Sequence, residues 1–122
     1  MPKKILVVDD EPHIVKLVES RLRASGYEVI CAFDGKMALE TARKEKPDLI
    51  ILDLMLPQMD GYKVCGLLKK DAKYSAVPVI IFSARAQEED QTLAEEVGAN
   101  AYITKPFKPE ELLDKIKELL KE

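Results

Sequence analysis

Short, unbroken apolar runs recur along this chain, and four of them end on a polar residue. Ile5-Leu6-Val7-Val8 meets Asp9-Asp10, and Leu49-Ile50-Ile51-Leu52 meets Asp53. Val79-Ile80-Ile81-Phe82 meets Ser83, and Ala101-Tyr102-Ile103-Thr104 meets Lys105. A strand with one wet face alternates apolar and polar residues. Runs without that alternation imply burial on both faces, as in a parallel sheet covered by helices. A fifth run, Val29-Ile30-Cys31-Ala32, ends on no charged or hydroxyl residue of that kind.

Between the runs the apolar spacing becomes helical. Ile14, Leu17, Val18 and Leu22 share one face behind Pro12, which a first helical turn tolerates, and Gly26 ends the segment. A second helix is expected over Lys36 to Lys44, stopped by Pro47. Pro57 and Gly61 bracket a loop before a third helix marked by Val64, Leu67 and Leu68. Leu93 and Val97 mark a weak fourth helix with Glu88-Glu89-Asp90 as its charged start, and Gly98 ends it. Leu112, Leu113, Ile116, Leu119 and Leu120 outline the clearest amphipathic helix.

Five strands alternating with five helices predict an α/β doubly wound fold with a parallel sheet. The second run suits an edge, so the expected strand order is 2-1-3-4-5. Right-handed crossovers then place helices on both faces. In such sheets ligands bind beyond the carboxyl ends of the strands, where the order reverses. Asp9, Asp10, Asp53, Ser83 and Lys105 are therefore expected at one end of the molecule.

Composition narrows the function classes. A chain of 122 residues that is 47% hydrophobic fits one domain, residues 1–122, with a single core and no output domain. A net charge of -3 argues against direct nucleic-acid binding, which needs clustered Lys and Arg. The apolar run after Lys3-Lys4 stops at Asp9, too short for a signal peptide, and no stretch is long enough to span a bilayer. A cytoplasmic protein without membrane contact is expected. Cys31 and Cys65 have no metal-ligand spacing and read as reduced, packed thiols. His13, the single histidine, reads as a surface residue of the first helix.

The carboxylates carry the candidate chemistry. Two like charges about 4 Å apart repel by about 4 kcal/mol at an effective dielectric near 20. Asp9, Asp10 and Asp53 cannot all stay ionised together without a cation or raised pKa values. Mg²⁺ suits them, since it takes one or two carboxylates, keeps waters and binds phosphate oxygens. Capping of the first helix by Asp9-Asp10-Glu11 is the competing use, but it does not account for Asp53. A carboxylate can also attack phosphorus and form an aspartyl-phosphate, and Asp53 is the candidate for that step. Lys105 would supply a point charge for a phosphate oxygen.

These residues, with their neighbours, resemble the response-regulator receiver domains of two-component signalling, similar to the single-domain chemotaxis regulator. The resemblance rests on Val7-Val8-Asp9-Asp10-Glu11-Pro12, Asp53-Leu54-Met55-Leu56-Pro57 with Met59-Asp60-Gly61, Phe82-Ser83-Ala84 and Lys105-Pro106-Phe107, and it spans Lys4 to Leu120. It implies a flavodoxin-like fold and a phosphorylation-dependent switch rather than an enzyme acting on an external substrate. Asp53 would accept a phosphoryl group from a sensor histidine kinase or phosphotransfer protein. It also implies that Asp10, Asp53 and the Met55 backbone carbonyl bind Mg²⁺ directly, with Asp9 acting through water. Lys105 would contact the phosphoryl group and precede a cis bond to Pro106. Ser83 and Tyr102 would act as the switch pair, remodelling the surface of helix 4, strand 5 and helix 5. Met55 and Arg85 would border the phosphoryl group and set its lifetime. A monomer or a phosphorylation-dependent dimer is implied, with the effector left open.

Two other classes share parts of this pattern. A haloacid-dehalogenase-type phosphatase also uses a strand-end Asp with Mg²⁺, but wants a second Asp where this chain has Met55. A flavodoxin-like flavin binder needs a hydroxyl- and glycine-rich loop after the first strand. Asp9-Asp10-Glu11 there would repel a bare phosphate.

Overall fold

In the computed structural model, residues 2–56, 59–84 and 88–122 are described. The elements follow the expected alternation: β1 (Lys4–Val8), α1 (Pro12–Ala24), β2 (Glu28–Ala32), α2 (Gly35–Glu45), β3 (Leu49–Asp53) and α3 (Gly61–Lys70). Then come β4 (Val79–Ser83), α4 (Glu88–Glu96), β5 (Ala101–Thr104) and α5 (Pro109–Leu120). All four strand pairings are parallel, in the order β2-β1-β3-β4-β5. The doubly wound layout and the strand order read from the apolar runs are both present.

The unbroken runs have the expected cause. Along each central strand alternate residues enter opposite cores. Leu6, Val8, Ile50, Leu52, Val79 and Ile81 face α2, α3 and α4, where they meet Leu39, Val64, Leu68 and Ala94. Ile5, Val7, Leu49, Ile51, Ile80 and Phe82 face α1 and α5, where they meet Val18, Leu22, Leu112 and Ile116. β3 and β4 are buried at every position, whereas β2 begins on exposed Glu28. Each fully buried Leu or Ile contributes about 1.5–3 kcal/mol relative to exposure.

Helix ends follow local chemistry. Asp34 and Asp60 cap α2 and α3, each carboxylate accepting a backbone N–H, from Met37 at 2.7 Å and Lys63 at 2.9 Å. Gly26 and Gly98 follow α1 and α4 with φ of +92°, the left-handed region that glycine enters without cost. The helix faces depart from expectation. Val15, Val18 and Leu22 are the buried residues of α1, while Leu17 is 48% exposed. Leu67 and Leu93 are also exposed, and Cys65 and Ala94 take the buried places beside them. Gly61 opens α3 instead of closing a loop, and Pro57 lies outside the described residues.

Candidate functional site

Three chain crossings at the carboxyl ends of β1, β3 and β5 build the site. Asp9 directly follows β1, and its own amide donates to the Ala32 carbonyl at 3.2 Å, which fixes it against β2. Asp53 is the last residue of β3 and pairs in register with Phe82 of β4. Lys105 directly follows β5, and its amide donates to the Ser83 carbonyl at 2.7 Å. The Lys105–Pro106 peptide bond is cis.

Their side chains converge. Carboxylate oxygens of Asp9, Asp10 and Asp53 lie within 4.8 Å of one another. The Lys105 ammonium donates to Asp9 Oδ2 at 2.8 Å and reaches Asp53 Oδ2 at 3.5 Å. It also sits 4.6 Å from the centre of the Phe82 ring, a cation–π contact, and that ring packs edge-on against Phe107 at 4.9 Å. Asp9 is completely buried, Asp53 is buried and Asp10 is exposed. Buried Ser83 joins Asp10, Glu11, Asp53, Met55 and Lys105 around an open cleft of about 330 Å³. Met55 is 62% exposed at its mouth.

Backbone donors hold the carboxylates in place. The Glu11 amide donates to Asp9 Oδ1 at 3.0 Å and the Met55 amide to Asp53 Oδ1 at 3.3 Å. The α1 N-terminus has no side-chain cap: the Glu11 carbonyl accepts from Ile14 and Val15, and Asp9 turns its carboxylate toward the Glu11 amide and Lys105. The capping alternative is thus not what Asp9 and Glu11 do here.

Burial, then the adjacent Asp9 charge, pushes the Asp53 carboxyl up from 3.8 to about 6. Lys105 and the Met55 amide oppose that rise without cancelling it. Burial favours the neutral form of Lys105, but its hydrogen bond to Asp9 and the charges of both aspartates outweigh it, and its pKa is raised. One ammonium therefore neutralises the acid cluster only in part. A cluster of hard oxygen donors left short of positive charge fits a divalent cation such as Mg²⁺.

Gly61 was legible in the sequence as a loop residue and as part of the Met59-Asp60-Gly61 run, yet its packing against the end of β3 was not. Its amide donates to the Leu54 carbonyl at 2.9 Å. A Cβ there would strike the Asp53 carbonyl oxygen and come within 2.8 Å of the Leu54 Cα. Gly61→Ala is expected to cost about 1–3 kcal/mol in urea unfolding, because backbone must move on both sides. A variant that matches the parent in that measurement would show that the contact relaxes freely.

The remaining predicted residues fall into place differently. Tyr102 is half-buried against the core shared with α2, α3 and α4, and pairs in register with Ile81. His13 is exposed and lies 3.4 Å from Glu11. Cys31 and Cys65 are free thiols, each pushed up to about 11 chiefly by burial. Arg85 lies outside the described residues, as do the side chains of Glu88, Glu89 and Asp90. Among the described residues no helix is long and apolar enough to cross a membrane.

Known proteins resemble this chain in sequence and in fold. The alkaline phosphatase synthesis transcriptional regulatory protein PhoP of Bacillus subtilis is 48% identical over 121 residues, which cover 99% of this chain and 50% of PhoP. The chain spans about half the length of the curated relatives it matches. The chemotaxis protein CheY4 of Vibrio cholerae superposes with a TM-score of 0.92 at 33% identity, over 98% of this chain and 99% of its own. The receiver domain of the sensor histidine kinase PA1611 from Pseudomonas aeruginosa carries a magnesium ion coordinated in its active-site cleft. It matches with a TM-score of 0.92 at 31% identity over 100% of both chains. A family model described as the response regulator receiver domain matches residues 5–117. By fold, strand-end chemistry and sequence, the chain belongs to the response regulator receiver domain family.

Proposed function

We propose that the chain is a phosphorylation-dependent signalling switch whose acceptor is Asp53. Receiver domains are regulatory phosphoacceptors that interact with histidine kinases or phosphotransfer proteins. The observation that carries the assignment to this residue is the buried Asp53 carboxylate, held beside Asp9 and Lys105 at the floor of an open cleft. An Asp53 oxygen forms the O–P bond as the P–N bond of a phosphohistidine breaks, and the imidazole keeps the electron pair. Asp10, Asp53 and the Met55 carbonyl would hold Mg²⁺, with Asp9 acting through water. When bound, the ion neutralises the carboxylates and polarises phosphoryl oxygens.

The other residues respond to the new charge. A phosphoryl group adds about -1.5 to -2 units. The Lys105 ammonium already lies between Asp9 and Asp53 and can shift toward the phosphoryl oxygens. Ser83 would donate its hydroxyl to one of them, and Tyr102 would repack in the space that opens. The surface of α4, β5 and α5 would then differ between the two states and select a partner. We assign residues 1–122 to one receiver domain acting in the cytoplasm, as a monomer or a phosphorylation-dependent dimer. An effector or an attached output domain would read that surface.

Incubation with acetyl phosphate tests this. One phosphoryl group should appear by intact mass with Mg²⁺, and none without it or in Asp53→Ala. Labelling that survives in Asp53→Ala would move the acceptor elsewhere. In the same assay Met55→Asn should change the lifetime of the phosphoryl group, because exposed Met55 screens the attacking water. An unchanged decay would remove Met55 from that role.

A further inference from the structure

A second concave surface lies away from the acid cluster. The groove between α3 and α4 encloses about 510 Å³ and is lined by Tyr62, Lys63, Gly66, Leu67, Leu93 and Val97, with Lys70 and Asp60 also at its edge. Leu67 and Leu93, from opposite walls, are each 40% exposed. Exposed leucines facing each other across a groove are a feature of partner surfaces.

Gly66 adds an independent sign. It sits inside α3, where glycine is less favourable than alanine, yet a Cβ built there meets nothing within 4 Å. The fold itself therefore gives no reason for glycine at this position. A flat spot on the groove wall admits the backbone or side chains of something laid against it.

The groove is also held open at one end by fixed contacts. The Lys69 ammonium donates to the Val77 carbonyl at 2.7 Å, the Ser75 carbonyl at 3.3 Å and Asn100 Oδ1 at 2.9 Å. Asn100 Oδ1 also accepts the Val79 amide at 2.9 Å, and the Cys65 thiol donates to the Val97 carbonyl at 3.6 Å. These contacts tie the end of α3 to the end of α4, so the walls are set before any partner arrives.

Charge specifies the occupant. Lys63 and Lys70, seven residues apart on α3, line one lip, and neither forms an ion pair among the described residues, whereas Lys69 is held by its three hydrogen bonds. The Asp60 carboxylate is engaged in capping α3. On α4, Glu95 borders the opposite cleft with Tyr102. Carboxylates on a bound partner thus belong on the α3 side. We infer that the α3–α4 groove docks an amphipathic helix of a partner protein, with apolar side chains seated between Leu67 and Leu93 and carboxylates meeting Lys63 and Lys70.

The test uses the full chain, ¹⁵N-labelled, and two synthetic helical peptides. Both carry leucines at i, i+4 and i+7; one has glutamates flanking that stripe and the other has lysines. The glutamate peptide should shift the amide resonances of Tyr62, Gly66, Leu67, Leu93 and Val97 and bind at least tenfold tighter than the lysine peptide. Gly66→Gln should weaken it at least tenfold while leaving the melting temperature equal or higher, and Lys63→Glu with Lys70→Glu should invert the peptide preference. Shifts confined to other surfaces, equal affinity for the two peptides, or indifference to Gly66→Gln would overturn the inference. Concentration-dependent shifts of these residues without peptide would overturn it in favour of a second copy of the chain.

Discussion

Lys105→Met should destabilise the metal-free protein by about 3 kcal/mol at pH 7, since removing one partner of a buried ion pair typically costs that much or more. The substitution keeps the length of the side chain and removes its charge. Asp9 is fully buried and Lys105 is 14% exposed, so solvent cannot replace the lost ammonium well. Asp53 loses its nearest cation at the same time. The measurement is urea unfolding in EDTA, compared with the same titration in excess Mg²⁺. The ion should recover much of the loss, because it would bring positive charge to the same oxygens. A midpoint unmoved by Lys105→Met would mean that the acid cluster is relieved by something other than this ammonium.

The second large effect is a dependence of stability on pH that runs opposite to ordinary acid denaturation. The Asp53 carboxyl is raised from 3.8 to about 6 in the folded chain, so the native state holds this proton more tightly than the unfolded state. Its contribution is fully present below about pH 4 and is lost as pH rises to about 6. At 1.36 kcal/mol per unit the swing is about 3 kcal/mol. Other carboxylates titrate in the same range, so the readout is a difference: metal-free protein minus Asp53→Asn, followed between pH 4 and 7. The asparagine variant should lack this loss and be the more stable of the two at pH 7. Mg²⁺ should stabilise the parent at pH 7 far more than the variant, by mass action on the native state. A parent and variant that track each other across the window would show that Asp53 is comfortable as a bare carboxylate.

Both effects arise from residues visible in the sequence, because the strands are short and their ends are marked. A run such as Leu49 to Leu52 has only one way to bury both faces, and Asp53 must then emerge at the rim. Strand order followed from which run lacked a site residue at its end. The helices were less legible. An apolar stripe on α1 includes Ile14, Leu17, Val18 and Leu22, but a helix on a sheet covers only part of a wide stripe, and the tertiary contacts left Leu17 outside. That Asp9 is buried against Lys105 while Asp10 stays exposed could not be read from the apolar runs, since the pattern sends neighbouring residues in different directions without saying which one turns inward. Lys69 could not be told from the other lysines, because its acceptors are backbone carbonyls in the segment after α3 and the side chain of Asn100, far along the chain, which no spacing pattern marks. Gly61 was legible as a turn residue; its close approach to the Asp53 carbonyl was not.

The seat of Lys105 over the Phe82 ring gives the molecule a built-in spectroscopic reporter. Methylene protons beside that nitrogen lie near the shielding region of an aromatic face, so their NMR signals are displaced upfield without any label or probe. A phosphoryl group that draws the ammonium away from the ring returns those signals toward their ordinary frequencies. Occupancy at the rim of the sheet can thus be followed from one side chain in the unmodified protein.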